Sequence, residues 1–224
     1  MGCHSGGSST NALPDLNPSG VGNSKQIWTG NVGFKEYDTV GDAIGKKGRA
    51  MSLENAVLGA NPYYSPDTSE FSENCQRAVI AVEMRRRGYN VTAQPTYPGD
   101  ELPKTAYINP KTKRVYERFT GAFKGAKSEN VSGLSDIEKK MKGYGNGSRA
   151  ALAFGWKKGN SGHVINVEYK NGKLSFVDGQ VGGKYDPVDL MSKVQKGSVT
   201  LTRLDNLRVS SRMKKSVEVA GRRK

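Results

Sequence analysis

Apolar residues recur at helical spacing in one stretch of the chain and alternate at strand spacing in another, and these two stretches carry most of the fold expectation. Between Phe71 and Gly88, the residues Cys75, Ala78, Val79 and Val82 follow the i, i+3, i+4, i+7 spacing of one helix face. The spacing predicts a helix with Ser72 as N-cap, Glu73 at the positive end of its dipole and Gly88 as the left-handed residue that ends it. Cys75 then falls at about the third helical position, at the N-terminal end of the core-facing stripe.

The second stretch runs from Gly162 to Gln180. Asn171-Gly172 between two alternating runs predicts a two-residue hairpin turn, which sets the register of the flanking strands. Lys170 then opposes Lys173, Tyr169 opposes Leu174, Val167 opposes Phe176, Ile165 opposes Asp178 and His163 opposes Gln180. One face carries Tyr169, Val167, Ile165 and His163 with Leu174, Phe176, Asp178 and Gln180. Its apolar residues give way, far from the turn, to His163, Asp178 and Gln180, and a diagonal neighbour is within side-chain reach. The other face carries Lys170, Glu168, Asn166, Lys173 and Ser175, with Val164 and Val177.

The remaining pattern is weaker. Residues 1–47, rich in Gly, Ser, Asn and Pro without apolar period, read as a flexible lead-in. Ser52 to Gly59 predicts a short helix, Tyr89 to Ala93 a strand, Arg114 to Phe119 a weaker strand and Ser135 to Met141 a helix. Gly143 to Ser148 lacks the Lys-Ser/Thr of a phosphate loop and stands between a helix and a strand, so it reads as a turn. Ala150 to Trp156 is an apolar strand, Val181 to Tyr185 a loop, Pro187 to Val194 a short helix and Ser198 to Leu204 a strand. Residues 210–224 read as a solvated basic tail, which leaves 48–209 as the folded domain.

Composition narrows the function classes. Thirty-five Lys and Arg against 21 Asp and Glu give a net charge of +14, which favours acidic partners, nucleic acid or anionic membrane surfaces without choosing among them. The cations are spread along the chain with neither aromatic interleaving nor a nucleic-acid motif, so nucleic acid is not the expected partner. No apolar run is long enough to span a membrane, and no signal-peptide pattern opens the chain. Two histidines, His4 and His163, and two cysteines, Cys3 and Cys75, supply no zinc-ligand spacing, so neither metal nor cofactor is expected. Cys75 is expected to be free, in a reducing compartment.

A lone cysteine on an apolar helix face is ordinarily a small buried hydrophobe. The picture changes when Cys75 is set beside His163 and Asp178. A cysteine at a helix N-terminus, a histidine opening a later strand and an acid on the next strand are the components of a thiol enzyme. The imidazole takes the thiol proton, the acid holds the ring in one tautomer, and backbone N–H groups at the helix start favour the thiolate. The expected fold is α+β and papain-like, an N-terminal nucleophile helix packed on an antiparallel sheet.

Three segments make that likeness specific: Asn74-Cys75 leading to Glu83–Ala93, Gly162–Val167, and Phe176–Gln180. Together they resemble the papain-fold toxin domains of bacterial polymorphic toxins, similar to domains that follow phage head-morphogenesis proteins, over roughly Met51 to Leu207. The resemblance implies a protein glutamine deamidase with Cys75 as nucleophile, His163 as general base and Asp178 as orienter. Gln180 and Asn74 become candidates for orienting or oxyanion support. It further implies a target protein presenting a glutamine, an immunity protein as a second partner, and delivery of a bacterial chain into the cytoplasm of a target cell. Two alternatives stay open: a cysteine protease of the same fold, and a non-catalytic basic binding module associated with a phage structural protein.

Overall fold

Asn171 (φ +51°) and Gly172 (φ +78°) both take the left-handed conformation that a two-residue hairpin turn demands, and the hairpin they close supplies two neighbouring strands of the main sheet. The computed structural model describes residues 33–67, 69–97, 100, 117–159 and 161–222. The hairpin joins β4 (Gly162–Lys170) to β5 (Lys173–Asp178), with Lys170 opposite Lys173, Tyr169 opposite Leu174 and Val167 opposite Phe176, as the turn predicts. The ladder closes at Asn166 and Val177, so the pairings expected beyond it, Ile165 with Asp178 and His163 with Gln180, are not ladder pairs.

Around this hairpin stand β2 (Glu129–Asn130), β3 (Ser148–Gly155), β6 (Gly183–Tyr185) and β7 (Thr200–Arg203). They form a six-stranded antiparallel sheet in the order β2-β7-β3-β4-β5-β6. The segment expected to be a loop at 181–185 therefore ends in an edge strand, where Tyr185 pairs with Phe176. A second, two-stranded sheet pairs β1 (Val91–Ala93) with β8 (Val217–Val219).

Both faces of the main sheet are covered. On one face α5 (Leu134–Tyr144) and α6 (Pro187–Lys193) pack over Leu152, Phe154, Ile165, Val167 and Phe176. On the other lies α4 (Cys75–Arg86), against Ala151, Ala153, Val164 and Val177. Eleven of the twelve residues of α4 are buried, among them Gln76, Arg77, Glu83 and Arg85, so the helix is enclosed all round instead of exposing a polar face.

Burial extends to charged and polar positions on the second hairpin face. Glu168 is buried and receives two hydrogen bonds from Arg86, at 2.9 and 2.7 Å, and Asn166 donates to the Val79 carbonyl at 3.0 Å. Fully buried Glu83 accepts from Arg149 at 2.8 and 3.0 Å and from Arg87 at 2.6 Å. These charges are thus paired across the helix–sheet interface, where each is costly to bury alone. Arg85, Arg86 and Arg87 go to different places: Arg85 to the Asn55 and Val91 carbonyls, Arg86 to Glu168, and Arg87 to Glu83 and the carbonyls of Leu204 and Leu207.

Four further expectations are corrected. The helix begins at Cys75 with Asn74 in the N-cap position, because Ser72 closes a separate turn, α3 (Ser69–Ser72). Cys75 is therefore the first helical residue, and no acidic residue occupies the first turn. Residues 33–47, assigned to the lead-in, contain α1 (Val40–Ile44), capped by reciprocal Thr39–Asp42 hydrogen bonds and burying Ala43 completely. The basic tail is also structured through residue 222: a 3₁₀ turn at Ser211–Lys215 buries Met213, and β8 buries Val217 and Glu218. Both end segments are fixed by partners distant in sequence: Lys35 exchanges backbone hydrogen bonds with the Gln94 side chain, 59 residues on, and α1 packs on β8, more than a hundred residues on. Of the strand expected at Arg114–Phe119, residues 114–116 lie outside the described residues, and Arg118–Ala122 is a 3₁₀ helix.

Candidate active site

His163 sits second in β4, and its ring is held on three sides. Trp156 stacks on it at an interplanar angle of 20° with centroids 6.1 Å apart, while Phe154, its cross-strand partner, meets it edge-on at 5.9 Å. Nε2 lies 2.7 Å from Asp178 Oδ2. The pair is a diagonal contact across the hairpin, one step from the register position that the turn defines. Both side chains are almost wholly excluded from water.

Asp178 accepts two more hydrogen bonds: from the Gln180 backbone N–H to Oδ1 at 2.8 Å and from the Tyr185 hydroxyl to Oδ2 at 3.0 Å. Burial pushes its carboxyl up. The His163 ring and these two donors outweigh burial and hold it below the usual carboxylate range. An ionised carboxylate can only accept, so the ring proton belongs on Nε2. His163 Nδ1 is then the basic nitrogen, and it is buried without a hydrogen-bond partner among the described residues. Burial, then the neighbouring Asp178 charge, drives the Tyr185 hydroxyl well above its ordinary value, so it stays a donor.

From Asp178 a chain of hydrogen bonds leads to the start of α4. The Gln180 carbonyl accepts from Asn61 Nδ2 at 3.0 Å, and Asn61 Oδ1 accepts from Asn74 Nδ2 at 3.0 Å. The Gln180 side chain donates to the Ser72 carbonyl. Asn61, Ser72, Asn74, Cys75 and Gln180 are all buried. Gly179, between Asp178 and Gln180, lies so close to α4 that a Cβ on it would stand 2.4 Å from Val82 Cγ2 and 3.1 Å from the Ala78 carbonyl oxygen.

The structure thus brings His163, Asp178 and Gln180 into one bonded group, and ties Asn74 to that group through Asn61. Cys75 stands one residue beyond Asn74. It is held in a disulfide, contrary to the expectation of a free thiol; Cys3, the other cysteine of the chain, lies outside the described residues. A disulfide sulfur is not a nucleophile, so any thiol chemistry at Cys75 begins with its reduction. Tyr185 and Trp156 are the members that pattern reading passed over. Tyr185 fell in an apparent loop, and Trp156 ended an apolar strand with no sign that it flanked a histidine. Among the described residues no three or more His, Cys, Asp and Glu side chains gather as a metal site.

Residues 73–183 match the family described as papain fold toxin 1, glutamine deamidase, just under half of the chain. This segment belongs to that family. The matched region begins just before Cys75 and ends in β6, so it takes in α4, the hairpin and the Asp178–Gln180 turn. The α+β architecture, with a helix lying on an antiparallel sheet, is the papain fold that the family description names. No curated protein and no solved structure was found to match the chain.

Proposed function

We propose that this papain-fold domain is a protein glutamine deamidase in which reduced Cys75 is the nucleophile, His163 the general base and Asp178 the orienter. The observation that carries the reading is the state of the His163 ring. Asp178 fixes Nε2, and Nδ1 is a buried nitrogen without a hydrogen-bond partner among the described residues. A buried imidazole nitrogen without a partner is costly, and the Cys75 thiol at the end of the adjoining hydrogen-bond chain is the partner this reading assigns to it.

Once a dithiol has reduced the Cys75 disulfide, Nδ1 takes the thiol proton and the sulfur attacks the side-chain carbonyl carbon of a glutamine. The tetrahedral intermediate collapses as His163 protonates the departing nitrogen, releasing ammonia and leaving a thioester on Cys75. Water, deprotonated by His163, then attacks the thioester and restores the thiol, leaving glutamate in the target. N–H groups at the start of α4, with Asn74 and Gln180 beside them, are suited to hold the oxyanion. A need for reduction suits a domain that works in the reducing cytoplasm of a target cell. An immunity protein covering this end of the sheet is the partner such a toxin calls for.

Intact-mass analysis of target proteins incubated with the reduced domain tests the reading. Deamidation adds about one dalton per modified glutamine, whereas proteolysis of an acyl-enzyme type gives fragments. Fragments in place of the mass gain, or a mass gain undiminished in Cys75→Ala, would overturn it.

A further inference from the structure

Arg77 stands two residues after Cys75, outside the group around His163. It is a fully buried arginine on α4, with 1% of its surface exposed. Its Nε donates to the Lys215 carbonyl at 3.1 Å, Nη1 pairs with buried Asp100, and its guanidinium lies 5.5 and 5.6 Å from the rings of Phe34 and Tyr97. Nη2 is buried and has no hydrogen-bond partner among the described residues. A charged donor left unpaired in a protein interior costs more than a neutral one, so the position calls for an acceptor that the described residues do not supply.

Arg77 lines a cavity of about 330 Å³. The same cavity is lined by Arg118 from one 3₁₀ turn, by Arg212 and Lys215 from another, and by Asp100 and Tyr97. Among the described residues that line it, cations outnumber carboxylates. Arg118, Arg212 and Lys215 are exposed at the rim, and Arg77 stands at its buried wall. Rim cations draw an anion in, and a preorganised guanidinium, fixed through two of its nitrogens and by two aromatic rings, binds it with little further loss of side-chain entropy.

We infer that this cavity is a binding site for a small phosphate-bearing molecule, held by Arg77 at its base and by Arg118, Arg212 and Lys215 at its mouth. The volume falls at the lower end of small-molecule pockets, roughly 300–1,000 Å³, and suits a compact ligand with two or more negative charges. A nucleic-acid backbone would need cations along a surface track, whereas the unpaired donor here is buried. The site is independent of the deamidase reading, since none of these side chains belongs to the group around His163.

Binding of inorganic pyrophosphate to the full chain, followed by titration calorimetry and by the rise in melting temperature, tests the inference. Arg77 also holds Asp100, so the informative variant is the rim pair Arg212→Gln/Lys215→Gln, which leaves the Lys215 carbonyl in place. Lys139→Gln/Lys142→Gln on α5 removes the same charge from the far side of the sheet. The rim pair should weaken pyrophosphate binding by about tenfold or more and the α5 pair by less than about twofold, since exposed charges away from a site contribute little. Absence of pyrophosphate binding at millimolar concentration overturns the inference. So does equal weakening by the two pairs, or a single-stranded oligonucleotide that binds more tightly than pyrophosphate and resists displacement by it.

Discussion

Replacing Gly179 with alanine puts a methyl group where α4 already is. The new Cβ would lie 2.4 Å from Val82 Cγ2, 3.1 Å from the Ala78 carbonyl oxygen and 3.2 Å from Ala60 Cβ. Ordinary carbon–carbon contact is about 3.5–4.0 Å, so roughly 1 Å of overlap must be relieved by moving the turn or the helix. Val82 is buried and β-branched, with little rotamer freedom in a helix, and the carbonyl is fixed backbone, so neither yields cheaply. Overpacking of this kind costs about 1–3 kcal/mol, and the three-sided contact places Gly179→Ala near the upper end. At roughly 2–4 °C per kcal/mol for a chain of this size, the melting temperature should drop by about 4–10 °C. Asp178 is the preceding residue, so the same displacement loosens its 2.7 Å bond to His163; a shift near 1 Å in a catalytic group costs about a hundredfold in turnover. Calorimetric melting and deamidation kinetics of Gly179→Ala read both effects. Gly143→Ala, in α5 with nothing within 4 Å of its Cβ position, serves as control and should stabilise by about 0.5–1 kcal/mol. Adding Val82→Ala to Gly179→Ala should recover part of the loss, a coupling a double-mutant cycle measures. A Gly179→Ala protein that melts within about 1 °C of wild type and keeps full activity would refute the tight turn–helix contact as the device that places Asp178.

Other changes follow from the same geometry. Glu83→Gln leaves Arg149 and Arg87 without their shared carboxylate and should cost about 3–5 kcal/mol in urea unfolding. Tyr185→Phe removes one donor to Asp178 Oδ2 and should lower kcat about tenfold while melting within a few degrees of wild type; an unchanged kcat would remove Tyr185 from the site. Asp178→Asn should keep the fold and lower kcat by about 10³–10⁴, since Nδ1 and Nε2 lose their fixed tautomer. The Asp178 carboxyl is held below its unfolded value of about 3.9, so its stabilising contribution is complete above that pH and is lost as pH falls through the folded value. Acid titration of stability should therefore be shallower in Asp178→Asn than in wild type.

What the sequence made legible was what local chemistry decides. Asn171-Gly172 defines a hairpin whose parity puts His163 and Asp178 on one face, and Cys75 with its apolar neighbours marks the helix. What stayed hidden depends on partners distant in the chain. Pattern reading cannot see that Arg86 and the Val79 carbonyl meet Glu168 and Asn166. Residues 210–222 look like a charged tail because Val217 to Val219 find their β-partner at Val91 to Ala93, more than a hundred residues back. Tyr185 enters the site through a three-residue edge strand, too short for an alternating pattern to register. The disulfide at Cys75 has no local signature at all.

The central claim is that His163 activates the reduced thiol of Cys75, and the pH dependence of its alkylation tests this without knowledge of the target. In a reduced Cys3→Ser protein, Cys75 is the single thiol, and the inflection of rate against pH reports its thiolate whatever the accessibility of the site. The account predicts an inflection well below the ordinary value of about 8.5, returning toward it in His163→Ala. An inflection at or above about 8.5 in the reduced wild-type site, unmoved by His163→Ala, would contradict it.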